Sequence, residues 1–267
     1  MSERIKKIFE TKGKKLVTFT TGGDPDLNTS LEILKTIINN GIDIIEIGMP
    51  FSDPMADGPT IQESSVRSLS NGTKINDIFE IVINIRKFNK ETPIILMGYY
   101  NSIFNLGIDN FTAKCAETGV DGLIIVDLQP EEDSELYTKS KERNIDLIRL
   151  ITPTTDERRL NTILANASGF LYYVTITGIT GQNSANVDNL KKSIKSIKSF
   201  TKLPVIAGFG IKNKKNVEEI SSFTDGVVVG SSIINIIKKN LHDKSKMVDE
   251  IDIFTKDLKK GISEWTG

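Results

Sequence analysis

Eight short apolar runs, each followed by a polar loop and an amphipathic stretch, divide this chain of 267 residues. The runs begin about 30 residues apart, the size of a strand-plus-helix unit. Several are apolar at successive positions, where a half-exposed strand would alternate, and strands covered on both faces read this way. These observations predict an α/β fold, a (β/α)8 TIM barrel with residues 1–267 in a single domain, in preference to an open doubly wound sheet.

The predicted strands, in order, are Lys15–Thr20, Ile42–Gly48, Ile94–Met97, Gly122–Asp127, Asp146–Ile151, Gly169–Val174, Pro204–Ala207 and Gly226–Gly230. They are rich in Ile, Leu and Val and are bounded by polar loops. Leu27, Leu31, Leu34 and Ile38 share one helical face, and Gly41 follows as a stop. After Thr73, the positions Ile75, Ile78, Phe79 and Val82 mark another helix, and Leu190, Ile194 and Ile197 mark a further one. Ser2–Phe9, with Ile5, Ile8 and Phe9 on one side, predicts an extra N-terminal helix that caps the barrel bottom. Lys244–Ile262 carries Met247, Ile251, Phe254, Leu258 and Ile262 and predicts a closing C-terminal helix.

Composition narrows the function. Lys and Arg number 34 against 35 Asp and Glu, a net charge of −1. The basic footprint of a nucleic-acid binder is missing, and so is a polybasic membrane contact. No apolar run approaches the ~20 residues of a membrane span. The N-terminus has no apolar signal core, so the expected location is the cytoplasm, or the plastid stroma for a plastid-encoded chain. The single cysteine, Cys115, excludes an intrachain disulfide. The single histidine, His242, reads as a surface residue, and one His with one Cys leaves no set of ligands for zinc.

In a barrel, reactive groups gather at the C-terminal ends of the strands and on the loops beyond them. Glu46 stands within Ile44-Ile45-Glu46-Ile47-Gly48. A carboxylate buried among aliphatics is costly unless it is paired, hydrogen-bonded or protonated, and desolvation raises its pKa. Such a group suits proton exchange near neutral pH. From the strand alone, a structural carboxylate held by backbone amides or a hydroxyl is an equal reading. The next loop, Met49-Pro50-Phe51-Ser52-Asp53-Pro54-Met55-Ala56-Asp57-Gly58-Pro59-Thr60, contains three prolines and a second acid, Asp57. Two acids over one barrel mouth can hold different protonation states. An Asx-turn before Gly58 is the simpler reading of Asp57. Asp53, before Pro54, reads as structural or as a partner contact.

The later loops read as a phosphate cradle. The seventh strand ends in Ala207-Gly208-Phe209-Gly210-Ile211, and the eighth ends in Val229-Gly230-Ser231-Ser232 before a helix. Glycines let backbone N–H groups approach a phosphate, and a helix N-terminus favours the anion. The sixth loop, Gly178-Ile179-Thr180-Gly181-Gln182-Asn183-Ser184, reads as a lid. No lysine falls in the C-terminal half of a predicted strand, so a Schiff-base aldolase lacks its amine. A metal aldolase lacks its imidazoles. Cofactor-free acid–base chemistry on a small phosphorylated substrate remains.

The run from Glu46 to Gln62 closely resembles the signature of the tryptophan synthase alpha subunit family. The likeness continues through Gly23-Asp24-Pro25, Met97-Gly98-Tyr99-Tyr100-Asn101, Thr177-Gly178-Ile179-Thr180-Gly181, Gly208-Phe209-Gly210-Ile211 and Val229-Gly230-Ser231, in order along the whole chain. The resemblance implies retro-aldol cleavage of indole-3-glycerol phosphate to indole and glyceraldehyde 3-phosphate. It implies Glu46 as general acid–base and Asp57 as hydrogen-bond acceptor for the indole N–H. It matches Gly181, Gly210, Gly230 and Ser231 to the phosphate site and Thr180 to the lid. Phe19, Met97, Ile124, Val126, Leu150 and Tyr172 fall where the family lines its indole pocket, although barrel strands carry such residues in any case. The resemblance further implies an αββα complex with a beta subunit that holds pyridoxal phosphate and receives indole through a tunnel, this chain needing no cofactor. One departure is Gln129, where the family usually has proline. Other readings are a free-standing lyase that releases indole, another phosphate-binding barrel such as an isomerase, and a non-enzymatic barrel. The last is disfavoured because both acids are present.

Overall fold

A computed structural model describes residues 1–174, 184–208 and 210–263. In chain order its elements are α1 (Glu3–Glu10), β1 (Lys15–Thr21), α2 (Leu27–Asn39), β2 (Ile44–Gly48), α3 (Pro59–Ser70), α4 (Ile75–Phe88) and β3 (Ile94–Gly98). There follow α5 (Tyr100–Leu106), α6 (Ile108–Thr118), β4 (Gly122–Ile125), α7 (Ser134–Glu142), β5 (Asp146–Leu147), β6 (Arg149–Ile151), α8 (Glu157–Ala165) and β7 (Leu171–Val174). The chain ends with α9 (Ser184–Phe200), β8 (Val205–Gly208), α10 (Lys214–Ser221), β9 (Gly226–Val229), α11 (Ser231–Lys239) and α12 (Lys244–Ser263).

The strands pair in the order β5-β4-β3-β2-β1-β9-β8-β7-β6, every pair parallel. The two ends of that order are joined by the single residue Ile148. The expected fifth strand, Asp146–Ile151, is therefore broken at Ile148: its first part pairs with β4 and its second with β7. One barrel strand changes partners there, which makes nine strand segments of eight barrel positions. The sheet curls into the barrel that the repeats predict.

Apolar side chains collect in two clusters. Inside the barrel are Val17, Phe19, Ile44, Ile95, Ile124, Ile148, Phe170, Ile206 and Val228, with Ile5 of α1 among them. The larger cluster lies between the sheet and the helices. Strands with residues in both clusters are buried on both faces, which is why their sequences do not alternate. Ile5 is fully buried, and the Phe9 and Phe170 rings lie 5.8 Å apart. The Ser2 backbone N–H donates to Asp146 Oδ2 (2.8 Å), and Arg4 and Arg86 both pair with Asp121. These contacts fix α1 across the N-terminal mouth and leave the C-terminal mouth for chemistry.

The helices follow the expected periodicity. In α2 the buried apolar face is Ile33, Leu34, Ile37 and Ile38, while Leu27 is exposed and Leu31 only half-buried. Leu34 and Ile38 thus bear out the expected face, Leu31 packs against the core at its edge, and Ile33 and Ile37 widen the stripe; Leu27 is exposed in the first turn, beside the Asp26 cap that accepts from the Thr29 N–H at 3.0 Å. In α12, Met247, Ile251, Leu258 and Ile262 are buried as expected.

Candidate active site

The C-terminal ends of β1 to β4, β7 and β9 build the site. Phe19 and Glu46 stand in register on β1 and β2, and Glu46 is in register with Ile95 on β3. Facing residues of a parallel pair point to the same side, so Glu46 joins Phe19 and Ile95 on the inner wall. Its carboxyl is fully buried, and among the described residues no hydrogen-bond donor reaches Oε1 or Oε2. Burial alone pushes its pKa from 4.5 to about 8. Among the described residues, neither a backbone amide nor a hydroxyl holds this carboxyl, against the structural reading of Glu46.

Of the six apolar positions expected to form a pocket, Phe19, Met97 and Val126 line the one at the barrel mouth, while Ile124, Leu150 and Tyr172 are placed only in or against the inner cluster. Phe19 and Ile124 belong to the inner cluster, and Met97, Val126, Leu150 and Tyr172 pack against it. The pocket at the barrel mouth is lined by Phe19, Gly48, Met49, Asp57, Met97, Tyr99 and Val126, together with Thr21, Gly98 and, from α3, Ile61 and Ser65. Gly48 is required there, since a Cβ at this position would lie 2.7 Å from Phe19 Cζ.

Asp57 sits on the loop between β2 and α3, half-buried, and its N–H donates to the Pro54 carbonyl (3.0 Å). Burial raises its pKa, and the hydrogen bond from Tyr99 lowers it in part. Removal from water, then the charges of Glu46 and Asp57, push the Tyr172 hydroxyl well above its usual value. Both acids therefore act on one ring from β7. Asp53 is exposed, and His242 lies exposed in the turn between α11 and α12.

At the far side, Gly230 precedes α11, and the first intrahelical bond there runs from the Ile233 N–H to the Gly230 carbonyl (2.9 Å). The Ser231 and Ser232 N–H groups precede that bond and face outward from the helix start. The Ser232 hydroxyl donates to the Ile211 carbonyl (2.9 Å), which ties α11 to the loop after β8. Gly210 has φ of +59°, a left-handed conformation that favours glycine. Gly181 and Thr180 lie outside the described residues. Among the described residues, no three His, Cys, Asp or Glu side chains cluster to hold a metal ion, and no helix is long and apolar enough to cross a membrane.

Residues 5–263 match the family model described as tryptophan synthase alpha chain. The chain belongs to the tryptophan synthase alpha chain family. It is 44% identical over 256 residues to the tryptophan synthase alpha chain of Petrotoga mobilis, covering 96% of this chain and 98% of that one. It is 45% identical over 249 residues to the Zymomonas mobilis alpha chain, with 93% and 91% covered. The crystal structure of tryptophan synthase subunit alpha from Legionella pneumophila superposes with a TM-score of 0.92 at 34% identity, covering 99% of this chain and all of that one. In this alpha chain the resemblance first carried by the Glu46–Gln62 run extends to the whole fold.

Sequence reasoning left Tyr99 without a role. Its motif was visible, but its contact with Asp57 joins residues 42 positions apart and no local pattern reports that. The same holds for the ion pair of Arg67 with the buried Asp24, whose two hydrogen bonds (2.7 and 2.8 Å) tie α3 to the loop after β1.

Proposed function

We propose that Glu46 and Asp57 divide the work of the alpha chain reaction, the lyase cleavage of indole-3-glycerol phosphate to indole and glyceraldehyde 3-phosphate. Glu46, protonated at neutral pH, gives its proton to the indole carbon that bears the side chain. Positive charge then develops on the ring nitrogen. The Asp57 carboxylate accepts a hydrogen bond from that N–H and stabilises the charge. The Glu46 carboxylate takes the proton of the adjacent side-chain hydroxyl. The carbon–carbon bond breaks, its electrons restore the aromatic ring, and the hydroxyl carbon becomes an aldehyde. Glu46 ends as it began, protonated, so no cofactor is consumed.

The observation that carries this reading is the full burial of Glu46 with neither oxygen hydrogen-bonded among the described residues, a burial that pushes its pKa up to about 8. A group poised near the working pH gives and takes protons with little penalty. The apolar slot of Phe19, Met97, Ile124, Val126, Leu150 and Tyr172 suits a flat ring with one polar N–H. Gly210, Gly230, Ser231 and the start of α11, with Gly181, suit the phosphate. In this reading Thr180 belongs to a lid that excludes water.

The subunit name implies a beta chain that consumes the indole, and a Mycobacterium tuberculosis structure titled tryptophan synthase, aminoacrylate-bound form, shares this fold (TM-score 0.87, 26% identity). We assign pyridoxal phosphate to that partner alone and the assembly to an αββα form with an internal passage for indole. The test is indole release from indole-3-glycerol phosphate by the purified chain, with and without a beta chain. Slow release that rises strongly with the partner is expected. Fast release alone, unchanged by a beta chain, would make the chain a free-standing lyase. No indole in either condition, from folded protein, would overturn the reading.

A further inference from the structure

The Tyr99 side chain follows directly on β3 and has no part in the chemistry above. Its hydroxyl donates to Asp57 Oδ2 at 3.0 Å and accepts from the Ala56 N–H at 3.0 Å. Its ring stacks on Phe51, with centroids 5.1 Å apart and planes 23° apart. One side chain thus grips the loop at three points. At its start the loop is tied to β3 by the Met49 N–H, which donates to the Met97 carbonyl (2.7 Å); from Pro50 to Asp57 its other hydrogen bonds, among the described residues, run within it or to Gln62 of α3: Met55 to Asp53, Asp57 to Pro54, Ser52 to Asp53, and Gln62 to Pro54 and Asp57. Beyond Met49, Tyr99 is the tie, among the described residues, that holds the loop to the barrel wall. It holds Oδ2 of Asp57, and among the described residues Oδ1 has no donor.

We propose that Tyr99 is a positioning residue for the lyase reaction, fixing one oxygen of Asp57 so that the other meets the ring N–H of the substrate. This rests on the reading of Asp57 as that acceptor. A phenol O–H that donates to a carboxylate favours its ionised form, the form the N–H requires. The other titratable groups around Asp57 are Glu46 from β2 and Tyr172 from β7, with Asp127, beyond β4, acting on Tyr99 itself. None of these is a cation, so the Tyr99 hydroxyl is the described group that opposes the effect of burial on Asp57.

Tyr99→Phe keeps the stacked ring and removes only the hydroxyl. Indole formation by the full chain is measured against pH for wild type, Tyr99→Phe and Asp57→Asn. The expected result for Tyr99→Phe is a kcat lower by about tenfold or more, a KM within about twofold, and an acidic limb of the kcat profile moved up by about one pH unit. The substrate phosphate titrates in both proteins and cancels in the comparison. Asp57→Asn should lose at least ~10²-fold. If Asp57→Asn keeps its activity, the reading of Asp57 fails and takes this proposal with it. If Asp57→Asn is inactive while Tyr99→Phe matches wild type, the proposal alone is overturned. A lower kcat with an unmoved limb, or one that only tracks a lower thermal midpoint, also overturns it by making Tyr99 merely structural.

Discussion

Glu46 lies in register between Phe19 of β1 and Ile95 of β3, sharing one inner layer of the barrel with an aromatic ring and a branched aliphatic chain. Among the described residues no hydrogen-bond donor reaches the carboxyl. Desolvation is therefore unopposed and the proton is retained to about pH 8. A single register position thus decides both where the acid sits and when it titrates.

The pH profile of cleavage follows from that value. The first step needs Glu46 protonated, so kcat/KM should fall as pH rises through about 8. On the other side, Asp57 must be ionised, and burial raises its pKa above the usual carboxylate range. A bell-shaped profile results, to be measured as initial rates of indole formation. A rate that climbs steadily beyond pH 9 would contradict the assignment of Glu46 as the acid.

Stability should depend on pH through the same group. Its pKa is raised on folding, so between about 4.5 and about 8 the native chain binds more protons than the unfolded one. The stability contributed by this group is full below 4.5, declines through that window and is lost above about 8. Glu46→Gln cannot titrate. Its thermal midpoint relative to wild type should rise from pH 5 to pH 8.5, by about 2–8 °C if ~1–2 kcal/mol is involved. Calorimetric scans of both proteins at the two pH values check this.

Gly48 keeps the Phe19 ring in place. An added Cβ would come within 2.7 Å of Cζ and 3.0 Å of Cε2 of that ring. Overpacking of this kind costs about 1–3 kcal/mol. Gly48→Ala should lower stability by that amount in urea titrations and weaken binding of an indole-bearing substrate analogue. An unchanged affinity would remove Phe19 from the pocket.

The Asp24–Arg67 pair latches α3, and with it the end of the catalytic loop, to β1. Asp24 is fully buried, and Arg67 holds both its oxygens. Arg67→Met leaves the carboxylate buried without its cation, which costs about 3–5 kcal/mol. Adding Asp24→Asn should restore much of that loss. Denaturant curves for the single and double variants decide whether the two residues act as a pair.

Much of this was legible in the sequence, and the reasons are physical. Strand runs such as Ile44–Gly48 are apolar on both sides because both sides are covered, and an acid within such a run stands out, although the strand alone left a structural carboxylate as an equal reading. The barrel and Glu46 were therefore readable. The break at Ile148 was not, because apolar character continues through it while the hydrogen-bond partner changes. In α2 only Leu27 departs from the expected face, because the first turn beside the Asp26 cap is exposed while Leu31, Leu34 and Ile38 pack on the core. Tyr99 and the Asp24–Arg67 pair depend on contacts across more than 40 residues, which only the folded chain brings together.

The most direct test of the account is the rate of indole formation from indole-3-glycerol phosphate by Glu46→Gln beside wild type, with and without a beta chain. The substitution keeps the shape of the side chain and removes its proton exchange. The account predicts a loss of at least ~10²-fold in both conditions, with the variant still folded and still binding a phosphorylated indole analogue. A variant that keeps more than about a tenth of wild-type turnover would contradict it, because proton transfer would then belong to another group.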